Sequence, residues 1–241
     1  MSEAPSLARN PPVALDPIAA PRSVPFDAPW AWLAAGWRDT WSMPRISLAY
    51  GALFAIAAAA LGLGLWQLDA HALFPTLTGG FLLIGPLVAV GLYEASRRLQ
   101  RGEAPTLGQV VLAGLGARGQ LAFFGAVLLF AFMIWLQLAF LLLMLFLGGT
   151  GLPPPSAFMH TLLFTPRGLG LLIVGTLAGG VLAAFVFSIS ALAVPLLMVK
   201  QVDAVTAARA SLAAVLVNPR PMALWAGLIV VMMGAGFATM L

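Results

Sequence analysis

The sequence predicts an all-α, polytopic transmembrane helix bundle with short interfacial elbow helices, built from about two and a half copies of a unit of one elbow and two spans. Three observations predict it: a composition too apolar for water, five apolar runs of membrane-crossing length, and a recurring acid-to-arginine junction between them. A soluble domain carries about 25% charged and 45–50% apolar residues, whereas this chain of 241 residues has 8% and 61%, with a mean hydropathy of +1.01. Only a bilayer accommodates that surface. Cysteine is absent, which excludes disulfides, thiolate metal sites and a thiol nucleophile.

The first 26 residues hold Pro5, Pro11, Pro12, Pro17, Pro21 and Pro25 and no apolar core behind a basic start, so residues 1–26 read as a disordered cytoplasmic tail rather than a signal peptide. Residues 27–241 form the transmembrane domain. A hydrocarbon core about 30 Å thick needs roughly 20 apolar residues at about 1.5 Å rise each. Runs of that kind occur near 46–66, 77–93, 120–147, 168–199 and 222–241. The third and fourth exceed the bilayer and are expected to tilt or project. Gly85 and Pro86 predict a bend in the second, and Pro195 a kink in the fourth.

Positive charge marks the cytoplasmic side of short loops. Arg9, Arg22, Arg38 and Arg45 precede the first span, Arg97, Arg98, Arg101 and Arg118 follow the second, and Lys200, Arg209 and Arg220 follow the fourth. The other two connections, which carry Asp69, His71 and His160, hold only Arg167, so eleven basic residues stand against one and the N-terminus is expected in the cytoplasm. The basic groups sit in short clusters between apolar runs, which fits membrane topology and not nucleic acid.

Each basic segment begins with an acid and alanine, "DAPW" at Asp27, "EAPT" at Glu103 and "DAVT" at Asp203. Each enters its span through an arginine, "RISLAY" at Arg45, "RGQLAF" at Arg118 and "RPMALW" at Arg220, after 18, 15 and 17 residues. The stretches between are amphipathic, with Trp30, Leu33, Trp37 and Trp41 on one face of the first and Val202, Val205, Leu212 and Val215 on one face of the last. Each reads as a short helix in the headgroup plane, started by a carboxylate that suits the helix dipole, with Pro105 in a first turn. The third unit then expects a sixth span beyond Leu241, the sequence being cut short at "GAGFATML".

"GGFLLIGPLVAVGLYEASRRLQRGEAPTL", "LLFTPRGLGLLIVGT" and "DAVTAARASLAAVLVNPRPMALWAGLIVV" resemble the six-span proteobacterial inner-membrane proteins of domain of unknown function 2189, over roughly residues 46–241. The resemblance implies a bacterial inner-membrane location, a further span and a His-containing end after "GFATML", and no established activity.

Haem and copper sites in a membrane core need several histidines on spans, and this chain has two histidines, both between spans. Ion-coupled carriers keep an ionisable group within the bilayer, whereas Asp69, Glu94, Glu103 and Asp203 fall at span ends or in loops. No catalytic residue, metal or cofactor is therefore expected, and the chain does not read as an enzyme. Arg45, Arg97, Arg98, Arg101, Arg118 and Arg220 are expected at lipid headgroups. Gly51, Ala55 and Ala59, like Gly175, Gly179 and Ala183, recur every four residues and are expected to pack against neighbouring helices. Thr176, Ser188, Ser190, Gln137 and Tyr50 read as packing groups. The expected partners are membrane lipids and other subunits of an inner-membrane complex, in which the chain is an accessory or scaffolding component. The alternative is a transport or lipid-handling protein with a groove between repeats, opened by broken helices at Gly85, Pro86 and Pro195, for which lipid or solute between spans two and four would speak.

Overall fold

The computed structural model describes residues 20–68, 70, 73–115, 119–150 and 153–239. Among them the chain is helical, with no strand: α1 (Ala28–Ser42), α2 (Pro44–Gln67), α3 (Phe74–Val88), α4 (Val90–Gln100), α5 (Leu107–Leu115), α6 (Gly119–Leu147), α7 (Pro155–Phe164), α8 (Pro166–Ser190), α9 (Ala193–Val199), α10 (Ala204–Val217) and α11 (Pro219–Thr239). Five helical stretches are long and apolar enough to cross a bilayer: Pro44–Gln67, Thr76–Gln100, Gly119–Leu147, Pro166–Val199 and Pro219–Gly236. Two of them are interrupted, the second at Ala89 and the fourth at Ala191 and Leu192.

The centre of the bundle is α6, packed between α3 and α8. Its aromatic side chains enter space left by glycines. The Trp135 indole lies against Gly79 and Gly80 of α3, and a Cβ at Gly179 of α8 would stand 2.7 Å from the same ring. Its Nε1 donates to the Thr76 carbonyl at 2.7 Å, so the one polar atom of a half-buried tryptophan is satisfied. Phe132 fills the space beside Gly80 and Phe146 that beside Gly170. Leu121, Phe124, Leu128, Val186 and Val194 continue the same core toward α10.

Pro86 removes one backbone donor from the second span, and α3 stops two residues later. The last carbonyls of a helix have no partner inside it. Tyr50 of α2 supplies one: its hydroxyl donates to the Val88 carbonyl at 2.7 Å. Gly91 makes room, since a Cβ there would sit 2.6 Å from the phenol oxygen. Pro195 acts similarly in the fourth span, where its ring would clash with the carbonyl four residues back, at Ala191. Ser188 and Leu192 are four apart and would bond each other in an unbroken helix. Instead Ser211 of α10 stands between them, accepting from Leu192 N at 3.1 Å and donating to Ser188 O at 2.9 Å.

Between α6 and α8 the chain is not a plain loop, because α7 folds back on α8 through Thr165. The Thr165 hydroxyl accepts from Gly168 N at 3.1 Å and donates to Thr161 O at 2.6 Å. Gly168 is required there: a Cβ would collide with the Thr161 carbonyl oxygen and lie 2.6 Å from Leu162 Cα. Gly168→Ala is expected to lose about 1–3 kcal/mol through overpacking. Gly175→Ala, where nothing lies within 4 Å, is expected to gain about 0.5–1 kcal/mol from helix propensity. Thermal unfolding of both variants in mild detergent checks the contrast; equal midpoints would sink it.

Candidate functional site at the elbow face

The stretch with the densest charge, Tyr93 to Thr106, closes the second span. Glu94 is 6% exposed, and both carboxylate oxygens are occupied. Arg97 Nε donates to Oε2 at 2.8 Å with Nη2 at 2.6 Å, and Arg98 Nε donates to Oε1 at 2.7 Å. These are one-turn neighbours of a helix, and both cations lie in its last turn, where the dipole favours them. Gly102, at φ 74, then reverses the chain. Gly102 N bonds Leu99 O and Glu103 N bonds Arg98 O, each at 3.0 Å, a Schellman ending. That reversal sets Glu103 Oε2 3.6 Å from Arg98 Nη1. With two guanidiniums occupying three of the roughly four lone-pair sites of a buried carboxylate, the cluster reads as a salt-bridged helix end.

The expected elbow starts are not alike. Asp27 precedes α1 without a side-chain cap. Glu103 does not start α5: Thr106 does, its Oγ1 accepting from Gln109 N at 3.4 Å while Gln109 Oε1 accepts from Thr106 N at 3.1 Å. Pro105 therefore stands before the cap, not in the first turn. Only Asp203 caps with its carboxylate, taking Thr206 N at 2.8 Å and the Thr206 hydroxyl at 2.6 Å. These bonds from Thr206, side chain first and then backbone, hold the Asp203 carboxyl below its ordinary value. Gln120 at the head of α6 accepts from Ala204 N at 2.9 Å and docks the start of α10 there.

The residues read as one apolar face of the last elbow divide: Val202, just before α10, is buried in the core, and the helix itself turns its small residues inward. Ala204, Ala207, Ser211 and Ala214 are buried, while Val205 and Leu212 are exposed. In a bilayer the outer face meets lipid tails as apolar as leucine, and small side chains allow close approach to a neighbouring helix. Trp30, Trp37 and Trp41 of α1 likewise face outward, as interfacial aromatic residues do.

A family model for domain of unknown function 2189, described as a predicted integral membrane protein, matches residues 73–199. The chain belongs to that family. No curated protein and no solved structure matches the chain. The family segment spans α3 to α9, the tryptophan-centred core with both broken spans. The two hydroxyls that mend the breaks, on Tyr50 and Ser211, come from outside it.

Of the arginines expected at headgroups, Arg97 and Arg98 are held by Glu94. Arg45, Arg101 and Arg220 are exposed and make no side-chain hydrogen bond or ion pair with the described residues, whereas Arg118 lies outside those residues. Asp69 and His71 also lie outside the described residues, and His160 sits on α7 with its ring against Phe164.

The packing residues divide. Gly179 receives the Trp135 ring and Ala183 packs on the core, so an aromatic side chain rather than a helix backbone fills that space. Gly175 meets nothing within 4 Å. Gly51, Ala55 and Ala59 are all exposed, and the buried residue of α2 is Tyr50.

Sequence reasoning missed Asn218. It accepts from Val24 N at 2.8 Å and donates to Arg22 O and Ala214 O, both at 3.0 Å, so it ties the stretch before α1 to the corner between α10 and α11. The segment expected to be unstructured to residue 26 is therefore anchored at Arg22 and Val24, and Trp32 meets Trp225 edge-on at 5.7 Å beside it. The readable signal was the proline after Asn218, since Pro-Arg opens α2, α8 and α11 alike, after the corner residues Met43, Thr165 and Asn218, and Asn218 is the buried polar one of the three.

Two outcomes follow from these contacts. Ser211→Ala leaves Leu192 N and Ser188 O without their bridge, and about 2 kcal/mol of stability is expected to go with it; denaturation in detergent measures this, and a loss near zero would show that the helix recloses by itself. The Asp203 cap contributes in full above the ordinary carboxylate range, because its folded value is the lower one, and is lost as pH falls through that folded value. The difference in unfolding midpoint between wild type and Asp203→Ala is therefore expected at neutral pH and to shrink in acid; a difference independent of pH would refute the cap's role.

Proposed function

We propose that the protein is a non-enzymatic accessory or scaffolding subunit of a larger complex in a bacterial inner membrane, with its N-terminal and elbow face in the cytoplasm. The observation that carries this reading is the first span. Only 6% of its most apolar window is buried, the lowest share of the five. It is held at one end, where Met43 and Tyr50 cluster with Ala95 and Val110, and its small residues Gly51, Ala55 and Ala59 face away from the bundle. Small residues on an outward face suit the close approach of another protein's transmembrane helix.

The orientation rests on the excess of basic residues at the elbow face. The non-catalytic reading is supported by the clasped Glu94, the most buried of the described acids. A transport path between spans two and four receives less support, because Trp135 fills the space between Gly79 and Gly179 through which such a path would run.

Ala55→Leu together with Ala59→Leu is expected to strip co-purifying subunits from the protein by at least about tenfold, while its own unfolding midpoint stays within about 0.5 kcal/mol of wild type, as for exposed sites. Gentle extraction from native membranes followed by native mass measurement reads both. Wild-type protein that migrates alone in several mild detergents would sink the proposal.

A further inference from the structure

A groove of about 220 Å³ runs between α6 and α10, with no residue of α2 in its lining. Phe123 and Val127 of α6 and Ile189 of α8 form one wall, and Ala208 and Leu212 of α10 form the other. It exists because α10 approaches α6 and α8 through small side chains. Gln120 fixes its first turn, Ser211 is inserted into α8, and Ala208 leaves space where a larger residue would close the gap. The groove is independent of the α2 face and of any role as a subunit.

We propose that this groove binds one anionic phospholipid, with an acyl chain along Phe123, Val127 and Leu212 and the phosphate on Arg209. The walls are apolar, one on the membrane-spanning helices α6 and α8 and the other on the shorter apolar helix α10, so the groove suits a hydrocarbon; water would find few polar partners along it. A helix about 10 Å across with its side chains is too wide for a space of this volume, whereas a single chain is not. Arg209 supplies the charge complementarity. It lines the groove at its rim, is exposed, and makes no hydrogen bond or ion pair with the described residues. The nearest acid along its helix, Asp203, is already engaged with Thr206. A guanidinium in that position is free to take two phosphate oxygens at once. Arg45 and Arg220 are also exposed, but neither lines this groove.

The test uses the full chain in mild detergent, doped with dioleoyl phosphatidylglycerol or dioleoyl phosphatidylcholine, with retained lipid counted by native mass spectrometry. Wild type is expected to keep one phosphatidylglycerol in preference to phosphatidylcholine. Arg209→Gln is expected to weaken that preference about fivefold, the contribution of one arginine beside an anionic surface. Ala208→Phe is expected to lower retention of both lipids, because it fills the groove, while Arg167→Gln, at an exposed cation that does not line the groove, changes neither. Unfolding midpoints check that each variant is folded, and Val205→Phe, at an exposed position on the groove's edge, replaces Ala208→Phe if that variant does not fold. The proposal is overturned if Arg167→Gln lowers binding as much as Arg209→Gln, if filling the groove leaves retention unchanged, or if the protein appears as a dimer that retains no lipid.

Discussion

A bilayer interior offers no water to a broken helix, so every backbone group freed by an interruption must find a partner within the protein. Two of the five candidate spans are broken, and each break is met by a hydroxyl from another helix. Tyr50 takes the Val88 carbonyl, and Ser211 stands between Leu192 N–H and Ser188 C=O. These contacts fix more than two bonds. The first holds α2 to the second span at the level of Gly91, and the second presses α10 into α8 so that Ala204, Ala207 and Ala214 are buried with it. Each peripheral element is therefore attached where the core needs a donor or acceptor.

The core itself is assembled by shape. Trp135, Phe132 and Phe146 of α6 occupy space that glycines leave in α3 and α8. Because lipid tails are as apolar as the side chains they replace, burial alone drives little association between spans, and close packing supplies what hydrophobicity does not. The family segment coincides with this core, while the attachment points lie in flanking helices. The charged elements are consistent with a structural role as well. Glu94, Arg97, Arg98 and Glu103 bind one another around a Schellman turn, and the cations left over face outward at the same end.

Low burial of α2 and the open groove beside α10 have one origin. Both helices are anchored at a few polar or aromatic points and not along their length, so each leaves an apolar surface beside the anchor. On α2 that surface carries small residues, and beside α10 it is a trough with a cation at its rim.

The sequence by itself determined the membrane-spanning class, the approximate positions of the spans and the arginine-rich elbow face, because hydropathy and charge act on each segment separately and need no partner. It also marked Pro86 and Pro195 as interruptions, since a missing donor is a local fact. The packing partners were decided only in three dimensions. Gly51 and Gly179 have the same kind of four-residue spacing, yet one faces outward and the other meets the Trp135 ring, because which face turns inward depends on neighbouring helices. The inward face of α10 was likewise decided by its neighbours: Ala204, Ala207 and Ala214 are buried while Val205 and Leu212 are exposed, because in a membrane the large apolar residues need not be the buried ones. Ser211 and Asn218 look ordinary along the chain. Their roles are set by backbone groups 19 to 196 residues away, brought within hydrogen-bond reach by the fold alone.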